Sequence, residues 1–395
     1  MTQPELLARY DRALMRNFGP PRRVFVRGSG AQLWDAAGTR YVDLFSGIAV
    51  GGLGHAHSAV NDAVGRQLAT LGHISNLFAS EPQIELAERL ASLAVAADPA
   101  RQARVCFTNS GTEANEAAFK ATRLIGRRKV IAMAGSFHGR TMGALAVTHT
   151  AKYREPFEPL PGDVTFVPFG DVSALETAVD ETVAAVVLEP IQGESGVIPA
   201  PDGYLAAARR ITSRAGALLW ADEVQTGIGR CGELLLSRAL GVTADLITVA
   251  KGLGNGFPVG ACIATGAAAE LLTPGGHGST FGGNPVAAAA GNAVLDVLED
   301  GLLAHVHRVG DWFAAAVTGL HHPDVAGVRG AGLLRGIVLN REVAPRVVEL
   351  ALSQGWVLNA PRPDVLRVAP PLIIREADLE PFVNALPGWL ERTDA

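Results

Sequence analysis

The sequence predicts an α/β protein with a large, mostly parallel central sheet and a second, smaller α+β lobe. The main observation is a series of short β-branched and aliphatic runs separated by amphipathic stretches. These runs lie at residues 104–108, 129–133, 164–167, 185–189, 217–222, 246–250 and 260–264. With 48% hydrophobic residues among 395, the chain can bury such strands between helices. Ligands of these sheets bind at the carboxyl ends of the strands, so the polar residues that follow each run are the candidates for chemistry.

The two ends of the chain differ from its middle. After a helix-like start, further strands are predicted at residues 24–30, 32–35, 40–44, 333–339 and 365–368. Helices are predicted at residues 86–93, 114–124, 204–215, 294–298, 312–320 and near the Glu-rich C-terminus. We therefore expect an N-terminal segment of the small lobe (1–50), a large domain (51–295) and a C-terminal small domain (296–395).

Composition excludes several classes of protein. The formal charge of −5 is spread without blocks, which indicates neither nucleic acid nor an anionic membrane surface as a partner. No signal peptide and no apolar stretch of about 18 residues is present, so we expect neither export nor a membrane span. Cys106, Cys231 and Cys262 are widely spaced and odd in number, which predicts free thiols in a reducing cytoplasm. Small molecules are the expected partners.

Lysine is scarce, and this narrows the search for a reactive amine. The four lysines are Lys120, Lys129, Lys152 and Lys251. Lys251 directly follows an apolar run and precedes a glycine-rich turn, so its amine is predicted at a strand end, where burial lowers the pKa of an ammonium. A nucleophilic lysine needs such a lowered pKa. The alternative is an ordinary lysine whose head group reaches solvent.

Acidic and small residues follow two other runs. Asp222 and Glu223 end one strand and could form an acid–base pair or hold a cation, but no cysteine or histidine nearby completes a metal site. Residues 108–115 open a helix whose amides could bind an anion, although an ordinary capping box fits as well. The pair His55 and His57 lacks further ligands, so no metal is expected.

Two arginines are candidates for binding carboxylates. Arg140 follows Phe137, whose ring could stack on a ligand. Arg367 is a lone base within an apolar strand, where an anionic ligand would compensate its charge.

Six motifs in order resemble those of the class III aminotransferases, which depend on pyridoxal 5′-phosphate (PLP). They are the segments at residues 110–117, 137–141, 189–194, 222–227, 251–252 and 278–285. The resemblance covers residues 22 to 385. It implies a PLP-dependent fold of type I, like that of aspartate aminotransferase, and a homodimer with shared active sites.

The resemblance also implies roles for individual residues. Lys251 would bind the cofactor covalently and then act as a general base, and Asp222 would pair with its pyridine nitrogen. The cofactor set is Ser110, Gly111, Thr112, Phe137, Asp222, Glu223, Val224, Gln225, Lys251 and Thr280. The substrate set is Arg140, Glu194, Ser279 and Arg367. Ser279 and Thr280 would reach the site of the neighbouring subunit, and Glu194 would neutralise Arg367 while an ω-amine is bound.

The implied reaction transfers the terminal amino group of N2-acetylornithine to 2-oxoglutarate. 4-Aminobutyrate, ornithine and succinyl-diaminopimelate are alternative donors, and an intramolecular aminomutase or a non-catalytic cofactor-binding protein are alternative classes. The sequence departs from the common family pattern at Phe281, at Gly51 with Gly52, and at Ser58. These departures bear on the substrate entrance more than on the chemistry.

Overall fold

The structure, a computed structural model, describes residues 1–393. Its strands are β1 (Phe25–Ser29), β2 (Gln32–Asp35), β3 (Arg40–Asp43), β4 (Ala103–Thr108), β5 (Lys129–Met133), β6 (Asp163–Val167), β7 (Val183–Leu188), β8 (Ile191–Gln192), β9 (Ile198–Pro199), β10 (Leu218–Asp222), β11 (Leu246–Val249), β12 (Gly260–Thr265), β13 (Val325–Ala331), β14 (Leu334–Leu339), β15 (Trp356–Val357), β16 (Asn359–Arg362) and β17 (Val365–Val368). Each predicted run of the central region forms one of these strands.

The helices are α1 (Gln3–Ala13), α2 (Ser46–Ala49), α3 (Ser58–Thr70), α4 (Glu81–Ala94), α5 (Gly111–Arg123), α6 (Met142–Ala146), α7 (Ala151–Arg154), α8 (Val172–Ala178), α9 (Tyr204–Ala215), α10 (Leu236–Ala239), α11 (Pro285–Val297), α12 (Leu303–Thr318), α13 (Ala344–Ser353) and α14 (Glu376–Glu391). Among residues 1–393, no helix combines the length and apolar character needed to cross a membrane.

A seven-stranded sheet forms the centre of the molecule, in the order β4-β12-β11-β10-β7-β5-β6. Strand β12 is antiparallel to both β11 and β4, and the other six strands run in one direction. The short link between β11 and β12 contains only a 3-10 turn, Lys251–Gly254, so it cannot make the crossover that a parallel strand requires. All six residues of β7 are buried, as expected for a sheet covered on both faces. The predicted α/β class with a mostly parallel sheet is confirmed.

Two four-stranded sheets flank this centre. One has the order β1-β2-β3-β15, in which β15 pairs with β3 in parallel and so joins the two ends of the chain. The other, β13-β14-β17-β16, is antiparallel. One apolar cluster runs from Ile131 and Ile247 of the central sheet to Phe313 and Phe382. The division at residues 50/51 and 295/296 stays a prediction.

Helix α5 shows how local sequence places a functional loop. Its N-cap, Ser110, accepts a hydrogen bond from the amide of Glu113 at 3.3 Å through its hydroxyl oxygen. Alanines on one face, among them Ala114, Ala117 and Ala118, are fully buried, which lets the helix lie close to the sheet. The start of α5 is thereby fixed at the end of β4.

Candidate active site

The candidate site lies at the carboxyl ends of the parallel strands. Asp222 is the last residue of β10, and Lys251 comes two residues after β11. Glu189 directly follows β7, and the segment that begins at Phe137 follows β5. The start of α5 follows β4, so five loops bring polar groups to the same edge of one sheet.

Asp222 is a buried carboxylate held by three neighbouring groups. Its Oδ2 accepts hydrogen bonds from Asn115 Nδ2 at 2.8 Å and lies 2.7 Å from His138 Nδ1, and its Oδ1 accepts one from the Val224 amide at 2.9 Å. Burial alone would lower the pKa of His138, but its hydrogen bond to Asp222 and the charges of Asp222 and Glu189 raise that pKa above its usual value. The aspartate is therefore held in one orientation.

Lys251 carries a lowered pKa, as the sequence predicted for a strand-end amine. Burial is the main cause and the charge of Arg367 adds to it, while the carboxylates of Glu194, Asp222 and Glu189 oppose the shift. The backbone of Lys251 is left-handed, with φ of 46°. A desolvated amine within electrostatic reach of Asp222 is suited to attack a carbonyl carbon.

The start of α5 forms a close cradle beside Asp222. A Cβ on Gly111 would lie 2.5 Å from Cγ1 of Val224, so only glycine allows this approach. The first amides of a helix have no partner within the helix and can bind an anion. The hydroxyl of Thr112 lies 2.8 Å from that of Thr141 and accepts from the amides of Arg140 and Thr141, which ties the 137–141 loop to the helix.

A second cluster surrounds Arg367, whose side chain is only 1% exposed. Glu194 forms an ion pair with Nη1 of Arg367, and Gln225 Oε1 accepts a hydrogen bond from the same nitrogen at 3.2 Å. Asn359 Oδ1 accepts one from Nε at 3.1 Å. Nη2 of Arg367 is buried and has no hydrogen-bond partner within residues 1–393. Burial would raise the pKa of Glu194, but Arg367 and Lys251 lower it, so Glu194 stays ionised.

Arg140 lies at the exposed mouth of the site. Its guanidinium carbon is 3.5 Å from the centre of the Tyr153 ring and 5.7 Å from that of Phe137. These rings hold the guanidinium through cation–π contact while its edge faces solvent.

Some predicted residues are not drawn into this cluster. Glu223 uses both carboxylate oxygens to accept from Thr226 and from the amides of Leu236 and Ser237. Ser279 accepts from Asn109 Nδ2 at 3.0 Å, and Thr280 is exposed. Glu223 therefore holds a loop in place, and Ser279 lies against the β4–α5 loop of its own chain.

Sequence reasoning missed three residues of the site, namely Asn115, His138 and Glu189. All three lie inside the motifs that were identified: Asn115 is in α5, His138 lies in the loop after β5, and Glu189 directly follows β7. For His138 and Glu189, the available signal was a polar residue shortly after an apolar run. Glu189 Oε1 accepts the Phe137 amide at 3.0 Å. Burial and Asp222 raise the pKa of Glu189 to about 7, although His138, the Phe137 amide and Lys251 oppose the shift.

Several residues other than glycine have a left-handed backbone. Three β-branched residues, Ile48, Val197 and Ile228, have positive φ of 70°, 58° and 53°. This conformation is unfavourable for β-branched side chains and costs about 1–3 kcal/mol, so the surrounding packing must maintain it.

A strand-end lysine with a lowered pKa, a buried aspartate and an amide-lined helix start are together the groups expected of a PLP enzyme of fold type I. The aldehyde, pyridine nitrogen and phosphate of PLP require these three groups, so the residues present fit the cofactor. Residues 15–390 match the family described as Aminotransferase class-III. The chain belongs to this family of PLP-dependent transaminases.

Known proteins resemble the chain over nearly its whole length. The acetylornithine aminotransferase of Streptomyces coelicolor is 55% identical over 394 residues, which cover 99% of this chain and 97% of the relative. The ornithine aminotransferase of Toxoplasma gondii has a TM-score of 0.92 at 30% identity, covering 100% of this chain and 96% of that structure. The N-acetylornithine aminotransferase of Stenotrophomonas maltophilia has a TM-score of 0.82 at 34% identity, covering 98% of each chain.

Proposed function

We propose that this protein transfers the terminal amino group of N2-acetylornithine to 2-oxoglutarate, a step of arginine biosynthesis. The products are N-acetylglutamate 5-semialdehyde and glutamate. The observation that carries the proposal is the ion pair of Glu194 with the buried Arg367, within electrostatic reach of Lys251. Arg367 can stay neutralised by Glu194 while a donor with a terminal amine is bound. When Glu194 moves away, Arg367 can bind the α-carboxylate of the acceptor. Relatives 47–55% identical that are named for acetylornithine support this donor.

Residues of the site would hold the cofactor as follows. Lys251 would bind the aldehyde, Asp222 would pair with the pyridine nitrogen, and the helix start at Ser110, Gly111 and Thr112 would hold the phosphate. Val224 and Phe137 would lie on opposite faces of the ring, and Gln225 would donate to its phenolic oxygen. When bound, PLP supplies a sink for the electrons of a broken C–H bond.

Lys251 would also move the proton. While a substrate amine is bound to the cofactor, Nζ of Lys251 would be a free base, and burial lowers its pKa. Nζ can then take the proton from the carbon that carries the amine. Asp222 cannot turn away, because His138, Asn115 and the Val224 amide hold it.

The two arginines would bind the substrates in turn. Arg140, at the mouth, would bind the carboxylate of acetylornithine far from the reacting amine. Glu194 would leave Arg367 when 2-oxoglutarate enters, and the α-carboxylate would replace it. This carboxylate would also accept a hydrogen bond from Nη2 of Arg367, which has no partner among the described residues.

A homodimer with shared sites is part of the proposal. Leu77, Phe78 and Phe281 are 86%, 67% and 59% exposed. They lie on neighbouring loops, since Asn76 Nδ2 donates to the carbonyl oxygens of Ser279 and Gly282. Such apolar surface is normally covered by a partner, and a second copy would place its Ser279 and Thr280 at the site. Sedimentation of the purified protein tests this, and a monomer would contradict it.

Free thiols and metabolite substrates support the cytoplasm as its location.

The test of the function is a comparison of amino donors. Acetylornithine, ornithine, 4-aminobutyrate and succinyl-diaminopimelate are each assayed with 2-oxoglutarate, and glutamate is measured. We expect the highest kcat/KM with acetylornithine. A preference for 4-aminobutyrate or another donor would overturn the donor assignment, and conversion of a donor without any oxo-acid would indicate an aminomutase.

A further inference from the structure

Val197 is a buried residue in a conformation that its side chain disfavours. Its φ is 58°, and it is 0% exposed. A β-branched residue with positive φ is an outlier that its surroundings must maintain. Val197 lies three residues after Glu194, on the loop that carries the carboxylate paired with Arg367. The packing around Val197 therefore helps to fix the conformation of this loop, together with the hydrogen bond from the Ser195 hydroxyl to the carbonyl oxygen of Gly135 at 2.6 Å.

Val197 packs against glycines of the antiparallel small-lobe sheet. A Cβ on Gly336 would lie 3.0 Å from Cβ of Val197, and a Cβ on Gly330 would lie 2.8 Å from its Cγ1. Arg329 Nε also donates to the carbonyl oxygen of Gly196 at 2.8 Å. The loop is thus fixed to β13 and β14 by one side chain and one hydrogen bond.

The register of that sheet links the contact to the substrate site. Gly336 of β14 lies directly opposite Arg329 of β13 on one side and directly opposite Arg367 of β17 on the other. Directly opposite residues of antiparallel strands share a face. Arg329, Gly336 and Arg367 therefore lie side by side on one face of the sheet. Gly336 has no side chain, and Val197 packs into the space that this leaves between the two arginines.

We propose that Val197 is a positioning residue, which sets the distribution of Glu194 between its pairing with Arg367 and withdrawal from it. This rests on the proposed function, in which Glu194 must leave Arg367 before the acceptor binds. Because Val197 packs on Gly336, the loop has one fixed position relative to β17, the strand that contains Arg367. Loosening this contact frees the loop to move, so Glu194 neutralises Arg367 less completely and α-carboxylates bind more readily.

The test compares the two half-reactions of the holoenzyme. In Val197→Ala, kcat/KM for glutamate divided by kcat/KM for the preferred ω-amine donor is expected to rise about fivefold, and KM for 2-oxoglutarate to fall. Calorimetric titration with glutarate, an unreactive dicarboxylate, is expected to show tighter binding. The matched control is Val347→Ala, which truncates a valine that is equally buried but lies in α13; it should leave the ratio at the wild-type value.

A second variant keeps the proposal testable if Val197→Ala does not fold. Gly336→Ala places a methyl group 3.0 Å from Cβ of Val197 and 3.1 Å from the carbonyl oxygen of Gly196. This crowding pushes the loop away from β14 and Glu194 away from Arg367, so the ratio should shift in the same direction. An unchanged ratio and unchanged glutarate affinity in the folded variants, or a shift equal to that of Val347→Ala, would overturn the inference. Failure of the wild type to use acetylornithine would instead contradict the proposed function, and the ratio would then be measured with the ω-amine that it does use.

Discussion

Nδ1 of His138 lies 2.7 Å from Oδ2 of Asp222, while Nε2 of the same ring is buried without a partner within residues 1–393. The buried ring of His138 thus helps to fix the orientation of the Asp222 carboxylate. Fixed dipoles and charges of this kind stabilise charge that develops during a reaction.

Replacing His138 tests the importance of this support. His138→Gln is expected to weaken PLP binding by about tenfold, because a hydrogen bond to a buried charged group is lost or distorted. Titration of cofactor-free protein with PLP, followed by absorbance, measures the effect. The exposed His321 provides the control, His321→Gln, which should bind PLP as the wild type does. Equal affinity in both variants would show that the ring is dispensable.

The charge of Asp222 is expected to matter more than its hydrogen bonds. Asp222→Asn keeps the shape but removes the charge that, in the proposed function, would keep the pyridine nitrogen protonated, so kcat should fall by at least about 10²-fold. Steady-state turnover with acetylornithine and 2-oxoglutarate measures it. Asp202→Asn, on the surface, is the control. A fall of less than a few-fold would mean that the carboxylate has another role.

Glu194 is expected to control the choice between ω- and α-amines. Glu194→Gln removes the charge that neutralises Arg367, so activity with glutamate should rise relative to acetylornithine by about tenfold. Single-turnover rates for each amine give the ratio. Glu176→Gln alters a surface ion pair with Arg214 and should leave the ratio unchanged. If the Glu194 variant kept the wild-type preference, the proposed switch would be wrong.

Glu189 gives a prediction about pH. Its carboxyl has a pKa raised from 4.5 to about 7 in the folded protein, so it retains a proton that the unfolded chain has already released. The stability it contributes is full below pH 4.5 and is lost as pH rises to about 7. The side chain of Glu189→Gln cannot titrate, so the cofactor-free variant does not lose this stability. The midpoint temperature of the variant minus that of the wild type should therefore rise between pH 4.5 and about 7 and stay constant at higher pH.

Thermal unfolding at several pH values measures this difference. Glu158→Gln, at an exposed position, should differ from the wild type in midpoint temperature by the same amount at every pH. A constant offset between wild type and Glu189→Gln would show that the carboxyl titrates at its ordinary value.

The strand ends could be predicted from sequence because their signal is local. The runs before Asp222 and Lys251 are apolar, and the observed strands β10 and β11 end at or within two residues of the predicted positions. Strand β13 was missed because Gly327 and Gly330 lower its β-propensity. The direction of β12 is set by the short connection from β11, which cannot make the crossover that a parallel strand requires, and not by the residues of β12.

The contacts between distant segments are not encoded in any local pattern. Asp222 meets Asn115 across 107 positions, and Glu194 meets Arg367 across 173. The resemblance to class III aminotransferases suggested the second pair, but the packing of Val197 on Gly336 required the register of the small-lobe sheet. The predicted contact of Glu223 with the cofactor could not be judged from sequence either, because consecutive carboxylates at a strand end turn to different partners.

The proposed chemistry depends on Lys251 as the amine that binds PLP covalently. Borohydride reduction of the holoenzyme, followed by digestion and peptide mass mapping, identifies this amine. We expect a reduced PLP adduct on the peptide that contains Lys251. An adduct on Lys120, Lys129 or Lys152, or no adduct in protein that carries the cofactor, would contradict it.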